Sequence, residues 1–264
     1  MTSYKPVTAA LRAIEVLRVV NRLCPTTLKA IHAETGFDKA TIVRMLQTLI
    51  HAGYLIQDSE TGAYSVAGRV LQLSVGYSLH DQVAEICTPI LTRLRRAIGW
   101  PSDFAIRDAE SMIVVQTTRI QGPLLFNRRP GFRAPMLLTS IGQAYLAACN
   151  DREYDEILTL LQTGSGGRTL SMPSNLERRL ATVRQSGYAV MDNAYSQSEY
   201  GGTIWAIAVP VASGGHVYGA LNIMLLREAV DEETVKERYL PLLKGTAAEL
   251  ENAFRTSTPP PNGL

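Results

Sequence analysis

The stretch from Asp38 to Ala52 constrains this chain more than any other. Asp38 stands where a helix N-cap belongs, and Ile42, Met45, Leu46, Leu49 and Ile50 recur at three and four residues, the stripe of a helix over Lys39–Ala52 that is packed on one side. The flanks restrict it further. Thr27 caps a short helix with Leu28 and Ile31 turned inward, and that helix stops at Thr35-Gly36, where glycine suits the left-handed C′ position. Phe37 plugs the turn. Gly53 closes the long helix, Tyr54–Gln57 reads as a strand, Asp58–Gly62 as a turn and Ala63–Val66 as a returning strand. Ahead of all this, Thr8 caps a helix to Leu23 whose inward residues are read as Ala10, Ala13, Ile14, Leu17 and Val20, and Pro25 ends it. Three helices followed by a β-hairpin is the order of a winged helix-turn-helix, assigned to residues 1–78.

The outward side of the third helix carries Thr41, Arg44 and Thr48, bordered by Lys39 in the first turn. A helix with a packed back and a short Lys/Thr/Arg front suits the major groove of duplex DNA. Arg44 can pair bidentately with guanine O6 and N7, and Lys39 and Thr41 can meet phosphates or base edges near the helix N-terminus. Thr27 and the wing residues Ser59 and Thr61 are candidate backbone contacts. Such a face alone more often belongs to an ordinary solvated helix; the ordered constellation is what raises it to a DNA-reading unit. Charge agrees in sign. Residues 1–80 hold eight Lys/Arg against five Asp/Glu, whereas the remainder holds 18 against 19.

The second half alternates differently. A helix is expected over Arg69–Ser78 and a linker helix over 79–98, with Pro89 kinking it or marking its start. Asp103–Arg107 and Met112–Thr117 form a hairpin, Leu124–Asn127 is a third strand, and Ser140–Cys149 is a helix. Asp151 caps another, and Ser174 with Glu177 makes a capping box for a helix ending at Gly187. Strands follow at Tyr188–Met191, Ile204–Val211 and Val217–Leu225, the last two joined at Ser213-Gly214-Gly215. Asp231 caps a final helix to Phe254, and 256–264 is a frayed tail. The fold class is therefore α+β, with an antiparallel sheet flanked by helices over 99–255.

Several function classes find no support. His32, His51, His80 and His216 are scattered, Cys24, Cys87 and Cys149 show no ligand spacing, and no metal or cofactor is expected. There is no GxSxG elbow, and Gly164-Ser165-Gly166-Gly167 lacks the Lys-Ser/Thr of a phosphate loop, so it reads as a plain loop and an enzyme is not expected. No apolar run reaches the roughly 18 residues that span a bilayer, and Met1–Pro6 lacks a signal-peptide design, so the cytoplasm is the expected compartment.

With these residues in view, the chain resembles the IclR family of transcription regulators. Leu28 through Leu49 resembles the family's helix-turn-helix, with Ala40 where Ser or Thr is usual, and Gly53-Tyr54 and Tyr64-Ser65-Val66 resemble its wing. Gly131 through Ala144, Gly187-Tyr188-Ala189-Val190, Ala206 through Val211 and Gly219 through Ile223 continue the likeness, with Leu137 and Gln143 where His and Lys are usual. Trp100–Asp103 and Met112–Arg119 are similar to members that govern hydroxyphenylpropionate and other aromatic-acid breakdown.

The resemblance implies a GAF-like sensor domain, dimers through the DNA-binding half, tetramers through the sensor half, a double-stranded operator and a small aromatic carboxylic acid as effector. It favours an activator of a catabolic operon, which would bring RNA polymerase in as a partner. The alternatives are a repressor answering a different small carboxylate and, in another class, an architectural DNA-binding protein without a ligand. Carried over, the effector site comprises Ser140 and Ile141 at a helix start, Met191 and Asp192 after a strand, and Ala206, Asn222 and Met224 on the last strands. Asn222 either meets the ligand or bonds a neighbouring segment. Arg128, Arg129 and Arg133 form a basic cluster in which one residue clamps the carboxylate, or which simply faces solvent or another subunit. Tyr195–Gly202 is a candidate lid. Ligand binding would act through the linker on the spacing of two recognition helices.

Overall fold

The computed structural model describes residues 5–74, 78–119, 130–163 and 173–257. Its contacts fall into two compact units that divide between Ser78 and Leu79. The expected strand Leu124–Asn127, the loop Gly164–Gly167 and the arginines Arg128 and Arg129 lie outside the described residues, as does the tail beyond Ser257.

The first unit begins with α1 (Thr8–Leu23), α2 (Leu28–Thr35) and α3 (Lys39–His51). Thr27 caps α2, its hydroxyl accepting the Ala30 N–H at 3.3 Å, and Gly36 follows in the left-handed region at φ 67°. Two strands, β1 (Leu55–Gln57) and β2 (Tyr64–Val66), pair antiparallel as the wing, and Thr26 bridges to Tyr64 from the other side. Asp58 braces the tip by accepting from the main-chain N–H of Glu60 and Thr61 and from the Thr61 hydroxyl. The core joins Val16, Val19 and Val20 of α1 to Ile31, Ile42, Leu46, Leu49 and Leu55.

Two expectations for α1 fail. Thr8 is the first helical residue rather than the cap, a position held by Val7 without a side-chain bond. Of the expected inward residues Val20 is buried and Leu17 packs against the core, but Ala10 is exposed, Ile14 is 64% exposed, and Val16 and Val19 complete the stripe. This helix has apolar residues on two faces, and periodicity cannot say which of them the neighbouring helices will cover. Of the expected helix over Arg69–Ser78, the described residues up to Ser74 hold a 3₁₀ stretch, Gly68–Leu73.

The second unit opens with α4 (Ser78–Ile98), which runs through Pro89 without stopping there. Strands β3 (Ser102–Asp108), β4 (Ser111–Thr117) and β5 (Arg133–Pro135) precede α5 (Ser140–Ala148), α6 (Asp151–Thr163) and α7 (Leu176–Ser186). Then come β6 (Ala189–Val190), α8 (Asn193–Tyr200), β7 (Ile204–Ser213) and β8 (His216–Leu226). The chain ends in α9 (Glu232–Thr234), a π turn at Val235–Tyr239, and α10 (Leu240–Thr256), so Thr256 is still helical. Among the described residues the strands form one antiparallel sheet in the order β5-β4-β3-β8-β7-β6. Gly214 and Gly215, at φ 59° and 83°, make the two-residue turn that joins β7 to β8, a left-handed pair that side chains with a Cβ resist.

Alternation along β8 sorts the layers. Leu221, Ile223 and Leu225 pack with α4 and α10, whereas Ala220, Asn222 and Met224 face the side of α5, α7 and α8. Two caps differ from expectation. Asn150, not Asp151, holds the start of α6 through the Glu153 N–H at 3.0 Å. Asn175 precedes α7 without a side-chain cap, and Glu177 instead accepts the Tyr154 hydroxyl. Among the described residues no helix is long and apolar enough to cross a membrane.

Candidate functional site

The first candidate surface lies on α3. Asp38 caps the helix twice over: Oδ1 accepts the Thr41 N–H at 2.8 Å and Oδ2 accepts the Thr41 hydroxyl at 2.7 Å. Thr41 is therefore half-buried and its hydroxyl serves the cap. Thr48 is exposed, but its hydroxyl donates to the Arg44 carbonyl at 2.8 Å. Lys39, Ala40 and Arg44 are exposed, as are Thr27, Ser59 and Thr61, the last spending its hydroxyl on Asp58. Because 3.6 residues make a turn, the outward face centres on Ala40, Arg44, Gln47 and His51, and Thr41 sits at its edge. Gln47 was missed in the sequence reading. Its spacing of three from Arg44 was the available signal, and its amide is suited to the N6/N7 edge of adenine.

The second candidate surface is inside the sensor-like unit. Met191, Ala206 and Met224 meet in one buried cluster with Tyr195 and Ile204, and Leu138, Tyr200 and Leu226 pack against it. Main-chain bonds hold this ring: Met191 N–H to the Ala206 carbonyl at 2.8 Å, and Asp192 N–H to the Leu138 carbonyl at 3.0 Å. The helix α8, the segment considered as a lid, supplies Tyr195 and Tyr200 to it. Asn222 lies two residues before Met224 on the same face, 2% exposed, and its Oδ1 accepts the Asp103 main-chain N–H at 2.8 Å.

The other expected residues sit differently. Ser140 is buried in the first turn of α5, which Thr139 caps by accepting the Gly142 N–H, and Ile141 packs into the separate cluster beneath α5 and α7. Asp192 caps α8 and pairs with Arg179 at 3.1 Å, beside a groove of about 470 Å³ that Met191, Trp205 and Arg227 also line. Arg133 is not brought to the cluster. It lies on β5, half-exposed, pairing with Asp108 and Glu110 at the β3–β4 turn.

A charged pair that sequence reading did not single out stands next to Asn222. Asp103 and Arg119 form a salt bridge with side chains 0% and 4% exposed. Arg119 Nε donates to Asp103 Oδ1 at 2.9 Å, Nη2 contacts Oδ2 and also the Met224 sulfur, and the Thr117 hydroxyl donates to Asp103 at 2.7 Å. Burial pulls the guanidinium's affinity for its proton down, but the charge and hydrogen bonds of Asp103 outweigh this and leave it raised. Asp103 and Arg119 are ordinary polar letters in the chain. Only strand pairing, which sets Asp103 opposite both Thr117 and Asn222, shows them to be interior. Among the described residues no group of three metal-ligating side chains comes together.

Comparison with known proteins joins the two surfaces. Residues 9–59 match the IclR helix-turn-helix domain, and residues 76–252 match the C-terminal domain of the bacterial transcriptional regulator IclR. The Pca regulon regulatory protein of Pseudomonas putida is 27% identical over 227 residues, covering 85% of this chain and 76% of that one. The p-hydroxybenzoate hydroxylase transcriptional activator of Acinetobacter baylyi is 27% identical over 227 residues, covering 83% and 80%. The crystal structure of an IclR family transcriptional regulator from Brucella abortus superposes with a TM-score of 0.65 at 25% identity, covering 94% of this chain and 93% of that one.

A helix-turn-helix followed by a helix-flanked antiparallel sheet, matched along both parts, defines a DNA-binding transcription regulator rather than an enzyme. The chain belongs to the IclR family.

Proposed function

We propose that this regulator responds to a small aromatic carboxylic acid and controls a catabolic operon, acting as an activator. The observation that carries the reading is the apolar cluster of Met191, Ala206 and Met224, ringed by Tyr195 and Tyr200 and edged by the polar Asn222 and Arg119. A mostly apolar interior with a few convergent polar groups suits a ring bearing one acid. The relative from Acinetobacter baylyi is an activator whose name carries p-hydroxybenzoate, which favours the same chemistry and the same sign of regulation.

Lys39, Ala40, Arg44 and Thr48, with Gln47, form the major-groove face. Thr27, Ser59 and Thr61 lie toward the DNA backbone, and Thr41 orders the helix start through Asp38. Asp192 and Ser140 frame the effector site from the starts of α8 and α5, whereas Ile141 and Arg133 lie apart from it. Val7 at the cap of α1 and Leu11 and Ile14 on it, spaced four and three apart and each more than half exposed, fit a homodimer contact, from which a homotetramer can be built. As an activator the protein would meet RNA polymerase, in the cytoplasm.

The test is titration of the full chain with benzoate and 4-hydroxybenzoate, and with a sugar acid as control, followed by thermal melting. A ligand at 100 times its Kd stabilises by about 2.7 kcal/mol. Footprinting of the DNA upstream of the adjacent genes, with and without the acid, reads the operator. Stabilisation by the sugar acid alone would point to another carboxylate. No stabilisation at all, with a protected operator, would leave an architectural DNA-binding protein.

A further inference from the structure

We infer that the groove between α7 and the edge of the sheet is a second ligand site, which takes a small hydroxylated dianion (a sugar phosphate or a hydroxy-dicarboxylate) on Arg178 and Arg227. The inference does not depend on the aromatic-acid reading of the apolar cluster.

The end of the sheet makes the groove. Among the described residues β6 is the last strand, and its Val190 is 39% exposed. Arg178, Thr182 and Ser186 line the groove from α7, Arg227 lines it from just beyond β8, and Trp205 of β7 gives it a buried floor. Its volume of about 470 Å³ falls within the range of about 300–1,000 Å³ usual for small-molecule sites. Trp205 packs with the core beneath α4 and α10, whereas its neighbour Ala206 belongs to the cluster with Met224. The floor of the groove and the apolar cluster therefore lie on opposite faces of the sheet, with Met191 and Asp192 bordering both.

Charge in the groove does not balance. Its two acids, Asp192 and Glu232, each have a cation of their own, Arg179 at 3.1 Å and Lys236 at 3.6 Å. Arg178 is exposed and makes no ion pair or side-chain hydrogen bond among the described residues. Arg227 has only uncharged partners: Nη2 donates to Asn193 Oδ1 at 3.0 Å, and the guanidinium lies 5.8 Å from the centre of the Trp205 ring. Its Nε and Nη1 remain for a ligand. Two guanidinium groups thus line the groove beyond what its carboxylates neutralise, and their planar forks suit phosphate or carboxylate oxygens. The neutral groups ask for hydroxyls as well. Thr182 and Ser186 donate their own hydroxyl protons to the carbonyls of Arg178 and Tyr188, so toward a ligand each oxygen is an acceptor. The floor supplies a separate sign of a polar ligand. Trp205 is 4% exposed and its indole N–H has no acceptor among the described residues, although buried donors are nearly always paired.

Calorimetry on the full chain with glucose 6-phosphate, tartrate, glucose and benzoate tests the site, in the wild type and in Arg178→Gln and Arg227→Gln. Both side chains are exposed, so the variants are expected to fold, which circular dichroism checks. The wild type is expected to bind at least one of the two dianions with a Kd below about 1 mM and at least about tenfold more tightly than glucose. Binding of glucose 6-phosphate alone assigns the site to phosphates, and binding of tartrate alone assigns it to dicarboxylates. Each folded variant is expected to weaken that dianion by about tenfold or more. Dianion and benzoate are expected to bind the same molecule together. Failure of both dianions to bind, a dianion held no better than glucose, or a folded variant with wild-type affinity overturns the inference. Mutually exclusive binding of dianion and benzoate places them in one site and overturns it too. A wild type that binds a dianion but not benzoate removes the aromatic-acid reading and leaves this inference standing.

Discussion

Asn222 Oδ1 accepts the main-chain N–H of Asp103 at 2.8 Å, a side chain on one central strand completing the hydrogen bonding of another. Asn222→Leu keeps the branched shape and removes the acceptor, leaving a buried N–H unsatisfied at a cost of about 1–3 kcal/mol. Chemical denaturation should show that loss, and the effector dose-response of operator binding should flatten. An unaltered dose-response would remove Asn222 from the site.

On α3, Arg44 and Lys39 are expected to fail in different ways. Arg44→Ala should weaken operator binding by about 1–3 kcal/mol, roughly 5- to 150-fold, and relax base preference where the guanidinium reads guanine. Lys39→Ala should weaken all sequences alike and lower the salt dependence by about one counterion. Gel-shift titrations across salt concentrations separate the two. Equal affinity and preference in Arg44→Ala would exclude α3 as the recognition helix.

Asp38 gives the DNA-binding unit an acid limb. The Thr41 hydroxyl, then the Thr41 N–H, stabilise its carboxylate and hold its pKa below the ordinary value. A depressed carboxylate contributes stability above its unfolded pKa and loses it as pH falls through the folded one. Asp58, held down in the same way by Thr61, adds to this limb at the wing. Asp38→Asn should therefore lessen the fall in folding stability on acidification below the ordinary aspartate range. Superimposable pH profiles for wild type and variant would contradict the cap's role.

Gly142 has no room for a methyl group. A Cβ there would lie 2.1 Å from the Met136 carbonyl oxygen, which is backbone and cannot step aside. Gly142→Ala should push α5 off the segment before it and lower stability by about 1–3 kcal/mol. A melting temperature equal to wild type would mean that α5 can shift at no cost.

The three thiols should separate by reactivity. Cys24 is exposed, Cys149 is half-buried and pushed up to about 11 by burial, and burial raises Cys87 far above the usual thiol range. At about pH 8 a disulfide reagent should modify Cys24 first and reach Cys87 only on unfolding. Rapid modification in Cys24→Ser would show that another thiol is accessible.

Much of the molecule was legible from its letters because local chemistry decides it. Asp38 and Thr27 cap helices, Gly36 ends one, Gly214-Gly215 turns a hairpin, and Ile42, Leu46 and Leu49 mark an inward stripe; each requires only neighbours within a few residues. Period alone could not choose between the two apolar faces of α1; on α3 it places Gln47, three residues after Arg44, in the exposed face, while the cap draws Thr41 toward Asp38.

The buried cluster around Met224 depends on pairing between strands far apart in the chain. Asp103 and Asn222 are 119 residues apart, and Arg119 meets Met224 across 105. Hydrophobic pattern and capping preference are short-range properties, so the sequence by itself determined the helices, the wing and the turn between recognition elements. Which buried polar groups face one another is set by sheet register, a long-range balance of burial and hydrogen bonding. That balance alone decided that an aspartate and an arginine would share the interior with Met224.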